Sequence, residues 1–321
     1  MATMPTHSRR HPTGRRVAAL AVVGASLLSL ATACGSTSSG TGAPGDPLQV
    51  VAAFYPLEWI AQQVGGDHVV VRSLTKPGAE PHDLELTPRD VGAVQDAAVV
   101  TYLSGFQPAV DTAMDDAGGA AFDARDAARL DRTFTPIEDG ASAADEADTT
   151  DPHFWLDPER TADVADAFAE TLATTDPDHA KDYRTNAARL RARLDVLDRD
   201  YRAGLDDCDR TSLVTSHNAF GYLADRYGLE QVGITGLTPE GEPSPKDLAQ
   251  VADYVERNDV ETIYFETLTS PAVAKTLARE TGATAAVLDP IEGLADGSGD
   301  ADYLTIMRAN LDALREGLGC R

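Results

Sequence analysis

The feature that most constrains the fold is a long amphipathic period in the middle of the chain. Apolar side chains recur there at steps of three and four residues, which is the spacing of one face of an α-helix. They are Tyr183, Ala187, Leu190, Leu194, Leu197, Tyr201 and Leu205. The period holds for nearly thirty residues, so the helix would be roughly 40 Å long at about 1.5 Å per residue. One small α/β lobe does not need such a helix, so we expect it to connect two lobes.

Short β-rich runs alternate with helical periods on both sides of this helix. The predicted strands cover residues 48–54, 69–74 and 97–103 before it, and 212–215, 230–234, 260–265 and 284–288 after it. Alternation of this kind indicates right-handed crossovers and parallel sheets. The sequence therefore predicts an α/β fold with two Rossmann-like lobes, over 48–175 and 207–321, joined by one rigid helix over 176–206.

The first 33 residues differ in composition from the rest. Residues 1–16 contain four Arg and no acidic residue, and an apolar run follows at 17–30. A run this short does not span a bilayer comfortably, and the order of segments is that of a secretory signal peptide over 1–33. The segment 34–47 is rich in Gly, Ser, Thr and Pro, which indicates a flexible tether.

Cys34 stands directly after the predicted cleavage site. This arrangement resembles a bacterial lipoprotein signal, which implies that Cys34 is lipidated and that the protein is exported and anchored to the outer face of the cell membrane. The alternative is an ordinary signal peptide cut near Ala33. With Cys34 lipidated, Cys208 and Cys320 remain in an exported protein, where a disulfide is the default and two free thiols are the alternative.

Charge limits the classes of partner. The chain carries 27 basic and 52 acidic residues, a formal net charge of −25. Phosphate recognition requires clustered Lys and Arg, so this balance argues against a nucleic-acid partner. The residues 138–151 are small and acidic with no apolar period, which indicates a solvated loop.

Polar side chains with metal-binding chemistry stand at the ends of predicted strands. In the second half, His217, Glu266 and Asp289 each come soon after a strand, and in the first half His82 and His153 lie in loops. Ligands of open parallel sheets bind outside the carboxyl ends of the strands, so these side chains are expected to meet in the cleft between the lobes. Three imidazoles and one carboxylate match the tetrahedral ligand set of Zn²⁺.

Four motifs occur in a fixed order along the chain. They are P-H-D-L-E-L-T-P at 81–88, D-P-H-F-W-L-D-P at 151–158, S-H-N-A-F-G-Y-L at 216–223 and V-L-D-P at 287–290. Together with the lipoprotein-like head, they make the chain resemble the cluster A-I solute-binding proteins of ABC importers, the zinc and manganese group. The resemblance extends from about residue 48 to residue 321 and includes the long inter-lobe helix.

The resemblance implies a role for each candidate site residue. His82, His153 and His217 match the metal-binding histidines of the family, and Asp289 matches its carboxylate position, with water as the alternative fourth ligand. Glu266 matches a cleft-facing Glu that is not usually a direct ligand. Zinc binders of the family carry His at the third position and manganese binders generally carry Glu, so His217 favours Zn²⁺.

Two features fall outside the pattern of the family. Its zinc-binding members often have a His-rich loop before the second motif, whereas the loop at 138–151 is acidic and contains no His. His68 and His179 belong to none of the motifs, and we expect them to be surface residues.

The function that these observations predict is capture of Zn²⁺ and its delivery to a membrane permease with an ATPase partner, by a monomer without catalytic activity. Three alternatives stay open: a manganese importer component, a surface adhesin, and a zinc hydrolase with Glu266 as general base beside an open coordination position. The lipoprotein-like head and the lack of a hydrolase motif weigh against the hydrolase.

Overall fold

The computed structural model describes residues 46–134 and 149–321. The predicted signal peptide, Cys34, nearly all of the tether and most of the acidic loop lie outside these ranges. Within them, no helix combines the length and the apolar content needed to cross a bilayer. The described strands form two separate four-stranded sheets, and every pairing in both sheets is parallel.

The first sheet has the strand order β2-β1-β3-β4. Its strands are β1 (Leu48–Ala52), β2 (Val69–Ser73), β3 (Val99–Tyr102) and β4 (Ala120–Asp123). The helices around it are α1 (Tyr55–Gly65), α2 (Pro88–Asp96), α3 (Pro108–Met114), α4 (Ala124–Ala128) and α5 (Pro158–Thr175). The sequence did not predict α3, β4 and α4, because β4 (Ala-Ala-Phe-Asp) has no β-branched residue and α3 and α4 carry few large apolar side chains.

The predicted long helix is present. After a 3₁₀ turn at Pro177–His179, α6 runs over Ala180–Leu205, which is 26 residues or roughly 39 Å. All seven apolar positions of the period are buried. The helix packs along α5 and α1 of the first lobe, and also contacts α10 (Tyr303–Leu318) of the second. It is thus shared by the two lobes, as expected.

The second sheet repeats the strand order of the first, as β6-β5-β7-β8. Its strands are β5 (Ser212–Thr215), β6 (Glu230–Gly233), β7 (Thr262–Phe265) and β8 (Thr284–Val287). Besides α10, its helices are α7 (Gly221–Tyr227), α8 (Pro245–Arg257) and α9 (Ala272–Thr281). The predicted fold class, two parallel α/β lobes with a long helix between them, is confirmed.

Local sequence signals explain where several of these helices begin. Thr87 before α2 and Ser244 before α8 each form a capping box with the Asp three residues later, and each is followed by Pro at the first helical position. These contacts satisfy backbone N–H groups that have no partner inside the helix. The start of α2 places the loop that carries His82 directly ahead of it.

The second lobe is closed by a disulfide. Cys208, just before β5, is bonded to Cys320 after α10, which confirms the predicted pair. The bond spans 112 residues of sequence. A cross-link over so long a segment restricts the unfolded chain strongly. The cross-link lies at the amino-terminal end of β5, the end opposite to the one that His217 follows.

Candidate metal centre

Four side chains converge between the two lobes. His82, His153, His217 and Glu292 each offer one ligand atom, and these atoms all lie within 4.8 Å of one another. Glu292 Oε1 is the common neighbour: it lies 3.5 Å from His82 Nε2, 3.1 Å from His153 Nε2 and 3.0 Å from His217 Nε2. Across the described ranges, 46–134 and 149–321, no second group of three His, Cys, Asp or Glu residues converges in this way.

The parallel topology explains why these residues meet. His82 lies in the loop between β2 and α2, and His153 directly precedes a 3₁₀ turn at the start of α5. His217 comes two residues after β5, and Glu292 lies in the turn after β8. Each lobe therefore contributes two side chains, which lie in or next to loops at the carboxyl ends of its strands.

The cluster is shielded from water. His153 and His217 are completely buried, Glu292 is 1% exposed, and the His82 side chain is 6% exposed. The ring of His82 packs edge-on against Phe106, with centroids 4.6 Å apart. His82 Nε2 is buried and forms no hydrogen bond with any described residue. A buried polar atom left without a partner is costly, and a bound cation would supply the missing interaction.

Two carboxylates behind the cluster orient its imidazoles. Asp151 Oδ1 lies 2.8 Å from His153 Nδ1, and Glu266 Oε1 lies 2.6 Å from His217 Nδ1. A carboxylate that accepts the Nδ1 proton leaves Nε2 free to bind a metal. Glu266 thus lies where the resemblance expects it, facing the cleft behind a histidine. Asp151 was not singled out from the sequence, although it stands in the same D-P-H motif as His153.

The charges of the cluster compensate one another. Burial alone would raise the pKa of Glu292, but the neighbouring His217 and His82 outweigh it and hold that pKa well below its usual value. Burial would lower the pKa of His217 and of His153, yet the adjacent carboxylates raise both, His217 strongly. Burial and the neighbouring carboxylates therefore act in opposite directions on the buried imidazoles, and the carboxylates favour the protonated form.

A further carboxyl group lies near the cluster. Burial, together with the nearby Glu240 and Glu292, raises the pKa of Glu80 to about 9. Glu80 is therefore protonated at neutral pH and adds no negative charge beside Glu292. Because Glu80 belongs to the first lobe and Glu240 to the second, their contact also crosses the cleft.

The structure corrects the predicted carboxylate ligand. Asp289 lies outside the cluster: its Oδ1 accepts a hydrogen bond from the backbone N–H of Ile291 and its Oδ2 accepts one from Thr267 Oγ1, both at 2.8 Å. Glu292, three residues further along, occupies the expected position instead. The sequence missed it because Asp289 is the first carboxylate after the strand and stands in the V-L-D-P motif, whereas Glu292 belongs to no motif.

The two histidines outside the motifs also lie outside the cluster. The rings of His68 and His179 stack on each other with centroids 3.9 Å apart. His68 Nε2 lies 3.1 Å from Asp182, and His179 Nδ1 lies 2.6 Å from Asp176. Both side chains are partly exposed, as expected for surface residues.

Comparison with known proteins agrees with this geometry. The chain is 35% identical over 316 residues to the high-affinity zinc uptake system protein ZnuA of Bacillus subtilis, a match that covers 93% of this chain and 97% of that protein. It is 37% identical over 293 residues to the zinc-binding protein AdcA of Streptococcus pyogenes serotype M1. That match covers 84% of this chain but 55% of AdcA, so the chain spans about half the length of this relative.

A solved structure shows the same fold. It is that of the laminin-binding protein Lmb of Streptococcus agalactiae, described as a bifunctional protein with adhesin and metal transporting activity. It matches with a TM-score of 0.74 at 32% identity, over 84% of this chain and 99% of Lmb. The model of the family described as zinc-uptake complex component A, periplasmic, matches residues 50–317. The chain therefore belongs to the ZnuA family of zinc-uptake complex components.

Proposed function

We propose that this protein captures Zn²⁺ outside the cytoplasm and delivers it to the permease of an ABC importer. One observation carries the proposal: three buried imidazole Nε2 atoms converge on one carboxylate oxygen between two lobes. His82, His153, His217 and Glu292 would replace the water shell of the ion. Both relatives named above are described as zinc proteins, which supports the same cargo here.

The donor set favours zinc over manganese. Three nitrogens and one oxygen form the tetrahedral shell that Zn²⁺ adopts in proteins, whereas Mn²⁺ is better suited by carboxylate, carbonyl and water oxygens. His217 supplies a nitrogen to the cluster, at the position where the resemblance expects an oxygen ligand in manganese binders. Selectivity in this proposal comes from the imidazoles and not from the acidic surface, which attracts any cation.

Binding, and not hydrolysis, is the activity that we infer. A catalytic zinc site keeps one coordination position open for water or substrate, whereas four protein ligands close a tetrahedral shell. Glu266, the candidate general base, lies 2.6 Å from His217 Nδ1 and is engaged there. It orients a ligand instead of standing free beside an open position.

Capture and release would use the division of ligands between the lobes. Two come from each lobe, so a small separation of the lobes removes half of the shell. One continuous cluster of buried apolar side chains includes residues of the first sheet, of α6 and of α10. We therefore propose that lobe movement is limited, and that docking on the permease supplies the energy that loosens the site.

The proposed location is the outer face of the cell membrane, with a lipid on Cys34 as the anchor. The order of segments in residues 1–34 supports it, and the Cys208–Cys320 disulfide fits an oxidising compartment. Because the four ligands belong to one chain, we propose that the protein acts as a monomer.

A calorimetric titration tests the proposed function. The chelator-treated protein should bind one Zn²⁺ tightly and Mn²⁺ more weakly. A single alanine substitution of any of the four ligands, His82, His153, His217 or Glu292, should weaken zinc binding strongly. The expected loss exceeds the roughly 10–100-fold that results from removing a hydrogen-bond partner of a ligand. His68→Ala, which changes a histidine outside the cluster, is the control. Micromolar zinc binding by the wild type, or indifference to all four changes, would contradict the proposal.

Adhesion is a second candidate function, favoured by the likeness to Lmb alone. It would use the outer surface and not the cleft. Binding of the protein to immobilised laminin, equal in the wild type and in His217→Ala, would support it. Absence of laminin binding at micromolar protein would remove this candidate and leave zinc capture untouched.

A further inference from the structure

The turn that carries Glu292 has an unusual backbone conformation. Ile291 has φ +57°, in the left-handed region. A β-branched residue is rarely found there, because its side chain crowds its own backbone. Ile291 is nevertheless completely buried, and Glu292, next in the chain, is 1% exposed. The surrounding contacts must therefore hold this conformation in place.

Asp289 holds the backbone of Ile291 by a hydrogen bond. Its Oδ1 accepts the backbone N–H of Ile291 at 2.8 Å, and its Oδ2 accepts the hydroxyl of Thr267 at 2.8 Å. A carboxylate that accepts a hydrogen bond from the backbone two residues ahead forms an Asx turn, which stabilises a tight reversal of the chain. Thr267 follows β7 and holds the second oxygen, so Asp289 cannot rotate away without losing both bonds.

Two other side chains fix the backbone on either side. Asn310 of α10 forms two hydrogen bonds with the backbone of Asp289. Its Oδ1 accepts from the N–H at 2.9 Å, and its Nδ2 donates to the carbonyl at 2.7 Å. Trp155 Nε1 donates to the carbonyl of Pro290 at 2.7 Å. Trp155 stands two residues after His153, so this bond ties the Glu292 turn to the loop that carries a histidine of the other lobe.

We propose that Asp289 is a positioning residue of the metal site, and that its carboxylate aims Glu292 at the three imidazoles by holding Ile291 in the left-handed conformation. Loss of that carboxylate frees the Ile291 N–H and lets the backbone relax toward an ordinary conformation. The Cα of Glu292 then moves, and its Oε1 leaves the 3.0–3.5 Å contacts with the histidines. This inference rests on the proposed zinc-binding function.

A matched pair of variants tests it in the full chain. Asp289→Ala removes both acceptors and is expected to weaken zinc binding by about 10–100-fold, measured by competition with a chromophoric chelator. Asp289→Asn keeps an oxygen for the Ile291 N–H and offers an NH₂ group to Thr267 Oγ1. It is expected to bind zinc much more like the wild type. Rescue by Asn separates positioning from metal ligation, which needs the carboxylate.

The visible absorption of bound Co²⁺ gives a second readout. In Asp289→Ala it should approach the spectrum of Glu292→Ala, because both lose the same oxygen ligand, whereas Asp289→Asn should keep the wild-type spectrum. Thr267→Val, which frees only Oδ2, should weaken zinc binding in the same direction, and it replaces Asp289→Ala as the test if that variant does not fold.

Three results would overturn the inference. If Asp289→Asn loses zinc as severely as Asp289→Ala, the carboxylate itself binds the metal. If Asp289→Ala, or Thr267→Val in its place, matches the wild type in affinity and Co²⁺ spectrum, Asp289 does not position Glu292. If the wild type itself fails to bind zinc, the proposed function falls as well, and the wild-type titration alone distinguishes that case from the other two.

Discussion

The Nε2 atoms of His153 and His217, which stand 64 residues apart in the chain, lie 3.4 Å from each other. One ring belongs to the first lobe and the other to the second. Two buried imidazoles with raised pKa values can lie so close only because Glu292 Oε1 lies 3.1 Å from one nitrogen and 3.0 Å from the other. The carboxylate holds the site together in the absence of a cation, and is a natural ligand in its presence.

Replacing Glu292 by Gln should remove the negative charge that binds the imidazoles and the metal, with almost no change in side-chain shape. The variant loses the only anionic ligand of the cluster. Zinc affinity should therefore fall by more than the roughly 10–100-fold that results from losing a hydrogen-bond partner of a ligand. Competition with a chromophoric chelator measures it. Glu256→Gln, at an exposed carboxylate of α8 outside the cluster, is the matched control. Wild-type affinity in Glu292→Gln would exclude Glu292 as a ligand.

Zinc binding should release protons at neutral pH. Nearby carboxylates raise the pKa of His153 and of His217, and both imidazoles must be neutral to bind metal. Calorimetry in buffers of different ionisation enthalpy should show a net release of protons at pH 7. Affinity should rise with pH until the raised pKa values are passed. A binding enthalpy that is the same in all buffers would contradict this expectation.

The stability of the metal-free protein should have the opposite pH dependence to that of the zinc-loaded protein. A histidine whose pKa is raised by folding stabilises the folded protein fully at pH values below its pKa in the unfolded chain, 6.5. This stabilisation is lost as the pH rises through the pKa of the folded state. Glu292, whose pKa is lowered by folding, stabilises the folded protein at pH values above 4.5. This stabilisation is lost as the pH falls through the pKa of Glu292 in the folded state. The cluster therefore contributes most between pH 4.5 and 6.5.

Thermal unfolding between pH 5 and 8 measures this dependence. With chelator present, the melting temperature of the wild type should fall toward pH 8 relative to that of His217→Asn, which lacks the shifted group. With excess zinc, it should rise over the same range, because deprotonated imidazoles bind the ion. If the melting temperatures of the metal-free and zinc-loaded protein change with pH in parallel, the cluster does not control the pH dependence of stability.

Asp151→Ala should weaken zinc binding without removing a ligand. Asp151 Oδ1 accepts from the backbone N–H of His153 and lies 2.8 Å from its Nδ1, so its loss frees both the loop and the ring. Loss of such a partner costs about 10–100-fold in metal affinity. Asp225→Ala is the control, because Asp225 pairs with Arg132, which also contacts Asp151, but does not touch His153. Equal affinities of the two variants would count against the orienting role.

The disulfide should affect stability and not zinc affinity. Replacing Cys208 and Cys320 by Ser is expected to cost about 2–5 kcal/mol of unfolding free energy, because the bond closes a long segment of the unfolded chain. Denaturant unfolding of the oxidised and double-Ser proteins measures the cost. Zinc affinity should stay unchanged, since the bond lies at the end of β5 opposite to His217. A large loss of affinity would instead show that the bond shapes the cleft.

Local patterns in the sequence were sufficient to predict most of the helices and strands of the two lobes. The apolar period of α6 identified seven positions, from Tyr183 to Leu205, and all seven are buried. Thr87-Pro88 and Ser244-Pro245 are local helix-start signals, and each stands at the start of a helix, where the Thr or Ser forms a capping box. These features depend on residues three or four apart, so the chain determines them without reference to the rest of the fold. The short element β4 was missed because its residues, Ala-Ala-Phe-Asp, include no β-branched side chain, and it is stabilised by pairing with β3.

Strand ends, the apolar period and the ordered motifs were enough to predict the two lobes, the long helix and the three histidines, and the two remaining cysteines were enough to predict a disulfide. Glu292, the carboxylate of the cluster, was found only once the packed structure was known. Asp289 and Glu292 both stand in one short turn, and which of them enters the cleft depends on the left-handed backbone of Ile291. Asn310 and Trp155, distant in sequence, hold that turn. Contacts of this kind exist only once distant parts of the chain have packed together, so no local pattern could have revealed them.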